Sequence, residues 1–221
     1  MKKWFTMMAL ALCALTLTAC GGGAPAKSSG ATSAPKTETA KKADAPAGKR
    51  ALVVYFSRAD ENYNVGVIEK GNTKILAEMI AEATGADTFE IKPVKPYPKE
   101  YTPATEIAKK EKNENARPEI AGTMPDVSKY DVIFLGYPIW WGDLPMPCYT
   151  FFDKVKLAGK TIAPFCTHEG SGLSGTDRYI ADTTKASVTA ALEMRGKTAQ
   201  NSRDEAKKEV LAWLKKIGYG K

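Results

Sequence analysis

The chain has 221 residues, 43% hydrophobic and 26% charged, with a formal net charge of +7. One histidine, and four cysteines without a C-x-x-C pair, exclude a His- or Cys-rich metal centre and leave little room for a Ser-His-Asp hydrolase. The positive charge is no nucleic-acid footprint: two lysines stand at the extreme N-terminus, residues 21–48 add four against Glu38 and Asp44, and no basic stripe interleaved with aromatics follows.

Residues 1–19 read as a lipoprotein signal peptide. Lys2 and Lys3 open it, and Trp4 to Leu17 form an apolar core too short for a permanent span. Leu17-Thr18-Ala19-Cys20 is a processing site that leaves Cys20 as the lipidated residue. An ordinary cleaved signal is the plainer alternative. After Cys20, residues 21–48 are Gly, Ala, Pro, Ser, Thr and Lys, with Glu38 and Asp44 and no large apolar side chain. They cannot bury enough surface to offset their ordering entropy and read as a disordered tether, reaching ~30 Å. The chain is thus expected outside the cytoplasm, anchored to a bacterial membrane through Cys20.

Residues 49–221 suit one domain. Ala51 to Phe56 is a continuous apolar run and reads as a strand buried on both faces. It ends in Ser57-Arg58, and the turn Gly71-Asn72-Thr73 opens a helical pattern over Lys74 to Thr84. Asp87 to Ile91 reads as a second strand, Pro93 to Pro103 as a proline-broken loop and Thr105 to Asn113 as a short charged helix. Asp131 to Gly136 is a third strand, Pro147 to Val155 a helix, Thr161 to Cys166 a fourth strand and Asp177 to Lys185 a helix. Val188 to Glu193 reads as a fifth strand with a helical alternative. Ser202-Arg203-Asp204-Glu205 has the form of a capping box, opening a last helix with Val210, Leu211, Leu214 and Ile217 on one face. This alternation predicts an α/β fold, a five-stranded, doubly wound parallel sheet with helices on both faces.

Ligands of such sheets sit at the carboxyl ends of the strands. Three ends carry chemistry here. The first leads through Ser57 to a helix N-terminus, where free N–H groups and the dipole favour a phosphate, and where Asn72 and Thr73 add side-chain donors. The second leads into Tyr137-Pro138-Ile139-Trp140-Trp141-Gly142 and the third into Thr167-His168-Glu169-Gly170-Ser171-Gly172. A phosphate cradle, a tryptophan pair and a glycine-rich edge together suit a phosphorylated planar aromatic cofactor.

Residues 50 to 218 resemble a flavodoxin, of the subgroup with a GYPIWWG second loop and a PFCTHEGSG third loop. The order FSR, GNT, YPIWWG, THEGSG carries the resemblance. It implies noncovalent FMN and electron transfer. It implies phosphate contacts from Ser57, Asn72 and Thr73, and a ring embraced by Pro138 to Gly142 and Thr167 to Gly172. The chain departs from the family's short T-x-T-G-N-T loop by an insertion, Arg58 to Lys70, in which Arg58, Asn62 and Tyr63 either fold over the phosphate or face solvent. Ser29-Gly30-Ala31-Thr32 resembles a site of covalent FMN attachment to threonine, but Ala26 stands where an acid is expected.

Adjacent residues of extended chain point opposite ways, so one indole of the pair is expected on the ring, Trp141 before Trp140. His168 reads equally as a surface imidazole or as a hydrogen-bonding group at the flavin edge. Cys148 and Cys166 read as small core residues, with a disulfide as the alternative. No substrate-specific catalytic group stands out. The expectation is an electron carrier passing electrons to a redox partner protein or small-molecule acceptor. The alternatives are an FMN-dependent NAD(P)H:quinone-type reductase and a binding lipoprotein without flavin.

Overall fold

The structure is a computed structural model that describes residues 50–220. The signal, Cys20, the linker and the Ser29–Thr32 match lie outside the described residues. The long apolar runs form the centre of the sheet: β1 (Ala51–Tyr55), β5 (Val132–Pro138) and β6 (Thr161–His168). The outer strands are β4 (Asp87–Glu90), β7 (Ser187–Val188) and β8 (Leu192–Arg195). The order is β4-β1-β5-β6-β7, with β8 also on β6, and every pairing is parallel.

Alternation along β1 divides the core in two. Ala51, Val53 and Tyr55 point to one face, where Leu76, Ala77 and Ile80 of α1 (Asn72–Thr84) meet Ala199 of α5 (Gly196–Asn201) and Ala206, Val210, Trp213 and Leu214 of α6 (Arg203–Lys216). Leu52, Val54 and Phe56 point to the other face. There they meet Cys148, Phe151 and Phe152 of α3 (Met146–Lys154) and Ile180 of α4 (Thr176–Thr184). Helix α2 (Tyr101–Asn113) buries only Ala104 and Ala108.

The parallel doubly wound sheet is as expected, with local corrections. The fifth strand is broken into β7 and β8, both on β6, because the chain leaves the ladder between them at Ala190 and Ala191, after the Thr189 N–H bond to the Ile162 carbonyl. The capping box does not form: Ser202 makes no side-chain cap bond, since the chain enters α6 directly from α5, a helix the hydrophobic pattern did not reveal. Leu211 faces solvent; Trp213 takes the inward place, reaching Phe134 at 5.9 Å between rings and donating its N–H to the Ala190 carbonyl. Helix α2 starts at Tyr101 rather than Thr105. Pro103 lies in its first turn, where a missing N–H costs nothing. β5 and β6 run two residues beyond the apolar stretches, so Pro138, Thr167 and His168 are strand residues rather than loop residues.

The insertion forms a hairpin, β2 (Asp60–Asn62) antiparallel to β3 (Gly66–Ile68). It docks on the start of α2: Glu61 N–H donates to the Lys99 carbonyl (3.1 Å), and Tyr101 N–H donates to the Glu61 carboxylate (2.7 Å). Both cysteines are buried free thiols, and burial raises both, Cys166 to about 12. A thiol held this far into its neutral form is a poor nucleophile. Native protein should therefore give no reaction with a thiol-specific disulfide reagent, and the denatured chain should expose both Cys148 and Cys166; prompt labelling of the folded domain would contradict the burial.

Candidate functional site

The carboxyl ends of β1, β5 and β6 border one cavity of about 490 Å³. Its phosphate corner is built by a cross-loop cap. Gly71 precedes α1, and a Cβ there would lie 2.3 Å from Ser57 Oγ, so the residue that normally caps a helix has no side chain. Ser57 supplies the cap instead: its Oγ accepts from Lys74 N–H at 3.0 Å. A hydroxyl that accepts one bond keeps its own proton to donate. The N–H groups of Asn72 and Thr73 have no acceptor among the described residues, which leaves two donors at the positive end of the helix.

The side chains of this corner are braced. Thr73 and Thr167 are buried and share a hydroxyl–hydroxyl bond of 2.8 Å, joining α1 to β6. Asn72 Oδ1 accepts from Gln200 Nε2 (2.8 Å), which also donates to the Lys70 carbonyl (2.6 Å). With its oxygen taken, the Asn72 amide has its nitrogen left to donate. Glu169 Oε1 accepts from Lys197 N–H (2.9 Å) and ties the third loop to α5.

Arg58 folds inward rather than into solvent. Its guanidinium donates to the carbonyls of Glu61, Pro98 (2.7 Å) and Lys99 (2.6 Å), so it fastens the hairpin to the segment before α2. Burial lowers its pKa, against the opposing pull of Asp60, Glu61 and Glu100. Its Nε is buried without a partner. An unpartnered donor of a half-buried cation at the cavity wall is a place for an anion. Asn62 donates to the carbonyls of Ala59 and Asp60 (3.2 Å each). Tyr63 stacks on Tyr101 at 5.9 Å, and both line the cavity while staying exposed.

The two indoles part company. Trp140 N–H donates to the Asp143 carbonyl (2.9 Å) and Asp143 N–H to the Trp140 carbonyl (3.0 Å), closing a two-residue turn. Trp141 (φ 52°) and Gly142 (φ 74°) are both left-handed, the I′ geometry that favours Asn or Gly. A tryptophan in this conformation costs roughly 1–2 kcal/mol, so the turn holds an indole at its tip against local preference. That indole is half exposed, donates Nε1–H to the Thr105 carbonyl (2.9 Å), and lies under the Lys109 ammonium at 4.9 Å. Trp140 turns inward, edge-on to Tyr97 (5.0 Å) and Phe56 (5.2 Å).

At the third strand end, Gly170 N–H donates to His168 Nδ1 (2.9 Å), so the neutral ring carries its proton on Nε2. Burial holds the imidazole below its ordinary value, with Arg195 acting the same way and Glu193 and Glu169 opposing. A depressed histidine means that the unfolded chain takes the proton first as pH falls. Stability of the ligand-free protein should therefore fall as pH drops below about 6.5 until the folded ring also titrates. Melting curves across that window should show the loss, and His168→Gln should flatten it; an unchanged slope would remove His168 from this role.

Ten of the expected residues line the cavity: Arg58, Asn72, Pro138, Ile139, Trp140, Trp141, Gly142, Thr167, His168 and Glu169. Ser57 and Thr73 stand behind the phosphate corner, and Gly170 and Gly172 lie outside the lining, the former with its N–H already used by His168. Sequence reasoning missed the wall from α2. Ala104 and Ala108, four residues apart on one face, leave room there, and that small-residue spacing was the available signal. It also missed Gly196 and Gln200, which carried no motif.

The family model described as flavodoxin matches residues 50–217. Among solved structures, the chain is similar to a protein described as a flavoprotein from Bacteroides eggerthii DSM 20697. Identity is 28% over 76% of this chain and 98% of that one, with a TM-score of 0.61. A second such protein, from Bacteroides uniformis ATCC 8492, is 24% identical over 76% and 99%, with a TM-score of 0.57. A flavoprotein from Lactobacillus acidophilus NCFM, solved in complex with FMN, is 23% identical over 70% and 97%, with a TM-score of 0.53. The last two are likenesses of fold. No curated protein matches the chain.

Proposed function

The chain belongs to the flavodoxin family, and we propose that it is an FMN-binding electron carrier held outside the cytoplasm by a lipid on Cys20. The observation that carries the cofactor reading is the phosphate corner: the N–H groups of Asn72 and Thr73 at the start of α1 have no acceptor among the described residues, and Asn72 and Arg58, whose Nε is unpartnered, line a cavity at the three strand ends. These donors suit a phosphate dianion. FMN supplies the one- and two-electron chemistry, and the protein binds and orients it.

Each element has a part. Ser57, Asn72, Thr73 and Arg58 hold the phosphate. Ala104 and Ala108 give the ring space, and the 140–143 turn presents the Trp141 indole to it. Pro138, Ile139, Thr167 and Glu169 form the remaining walls. His168, with Nε2–H available, donates at the ring edge. Purified protein should be yellow, or should gain flavin absorbance bands on addition of FMN; a chain that stays colourless with FMN present would sink the reading.

The indoles separate binding from stability. Trp141→Gly should weaken FMN about tenfold, as expected for a lost stacking contact, while the melting temperature of the ligand-free protein does not fall, because the turn strain is relieved. Trp140→Ala removes a ring wedged between Phe56 and Tyr97 and should cost ~3 kcal/mol of stability. Titration calorimetry and thermal melts on both variants read the difference, and a reversed pattern would exchange the roles.

A second reading, an FMN-dependent NAD(P)H:quinone-type reductase, is favoured by the exposed Tyr63–Tyr101 pair at the cavity rim, a surface on which a second planar ring could stack. Steady NAD(P)H oxidation by the holoprotein alone, above the rate with free FMN, would select it over the carrier.

A further inference from the structure

The edge of the sheet opposite the cavity is where the strands begin. The chain enters there at Arg50, whose N–H donates to the Asp131 carboxylate (3.0 Å). Helices running antiparallel to the strands end on the same edge, and lysines follow: Lys154 closes α3, Lys185 follows α4, and Lys215 and Lys216 close α6. Lysine at a helix C-terminus complements the dipole, which explains its placement locally. It does not explain the imbalance that results.

Most acids on this edge are occupied, Asp182 in the last turn of α4 excepted, and the lysines are not. Asp131 holds the Arg50 N–H, Asp126 holds Ser128 and Lys129, Asp153 pairs with Arg117 (2.6 Å), and Asp87 accepts from Tyr130 (2.9 Å). Lys154, Lys156, Lys185, Lys215 and Lys216 are exposed and form no salt bridge among the described residues. Two of them, with Lys160, line a basin of about 440 Å³ together with apolar Met124, Pro125, Val127, Val155 and Ala158 and with Asp126 and Ser128. Lysines beside a largely apolar lining fit the boundary of a lipid bilayer, where the stem rests on the apolar surface and the ammonium meets a headgroup.

We propose that this edge is a membrane-docking face for anionic lipid headgroups, and that the domain rests on the leaflet with its cavity turned away. The inference deepens the proposed tether: residues 21–49 join the domain at Arg50, on the docking edge, so anchor and lysines act on one side. The consequence concerns the acceptor. A cavity on the far edge exchanges electrons with a water-soluble partner, and a quinone dissolved in the bilayer cannot reach it.

The test uses residues 21–221, which keep the whole folded domain and omit the acylated cysteine, so that only the protein surface contributes. Co-sedimentation is measured with vesicles of phosphatidylglycerol and phosphatidylcholine in equal parts, and with phosphatidylcholine alone. Binding is expected to the anionic vesicles only and to be lost as salt rises. The triple change Lys154→Gln, Lys156→Gln, Lys185→Gln should lower the partition coefficient about a hundredfold, at about fivefold per lysine near an anionic surface. The same loss of charge at Lys95, Lys110 and Lys208 should leave most of the binding intact. Equal binding to both kinds of vesicle, or equal loss from both triple variants, would overturn the docking face. The mass of the N-terminal peptide of full-length chain expressed with its signal reports the tether separately. An unmodified Cys20 with vesicle binding intact removes the tether and leaves the face standing; an acylated Cys20 with no lysine dependence does the reverse.

Discussion

Riboflavin should bind this protein at least about a thousandfold more weakly than FMN. The two ligands share the ring, so the ratio isolates the phosphate. Three donors are poised for it without acceptors of their own: the N–H groups of Asn72 and Thr73 and the Nε of Arg58. Each charge-assisted bond is worth roughly 1.5–3 kcal/mol, and the helix dipole adds to them. Arg58→Lys keeps the charge but loses the planar fork that spans the Glu61, Pro98 and Lys99 carbonyls. It should weaken FMN by about tenfold or more and leave riboflavin almost unchanged, so that the ratio narrows. Parallel calorimetric titrations give all four constants. Equal affinity of the native protein for FMN and riboflavin would place the phosphate elsewhere.

Gly196→Ala should be a strongly damaging single-atom addition at the site. A Cβ at this position would lie 2.1 Å from Asn72 Nδ2 and 2.8 Å from Glu169 Oε1. Neither neighbour can yield freely: Asn72 is held by Gln200, and Glu169 by Lys197 N–H. Overpacking of this kind costs ~1–3 kcal/mol, and the displaced amide no longer meets the phosphate. We expect a lower melting temperature for the ligand-free protein together with a tenfold or greater loss of FMN affinity. Adding Asn72→Gly removes the closer of the two clashes and should recover part of the melting temperature but not the affinity. Recovery of both would mean that Asn72 has no part in binding.

The phosphate corner was legible because a helix N-terminus after a buried strand and a small polar turn has the same consequence in any α/β sheet. Arg58 was legible as a candidate but not as a brace, because its partners are carbonyls some 40 residues away in a proline-rich stretch whose path no local pattern sets. Gly196 and Gln200 were illegible: α5 has six residues, no cap and only Gly196 and Ala199 buried, so its periodicity is too weak to read.

The apolar runs and their alternation with helices by themselves determined the parallel sheet and the edge where the site lies, because burial on both faces leaves a strand of Val, Ile, Leu and Phe nowhere else to go; the strand order came only with the tertiary structure. Composition and spacing likewise brought the YPIWWG and THEGSG segments to that edge. Only the tertiary structure decided which indole is free. Trp140 and Trp141 are chemically equal in the sequence. What separates them is a left-handed turn closed by Asp143 and a fixed helix face offering the Thr105 carbonyl. The same holds for the insertion: nothing in residues 58–70 favours hairpin over solvated loop until Lys99, Tyr101 and the Pro98 carbonyl present acceptors and a ring to dock on. Burial propensities act through local periodicity and can be read along the chain, whereas a hydrogen bond between distant segments exists only once the fold has set the distance between them.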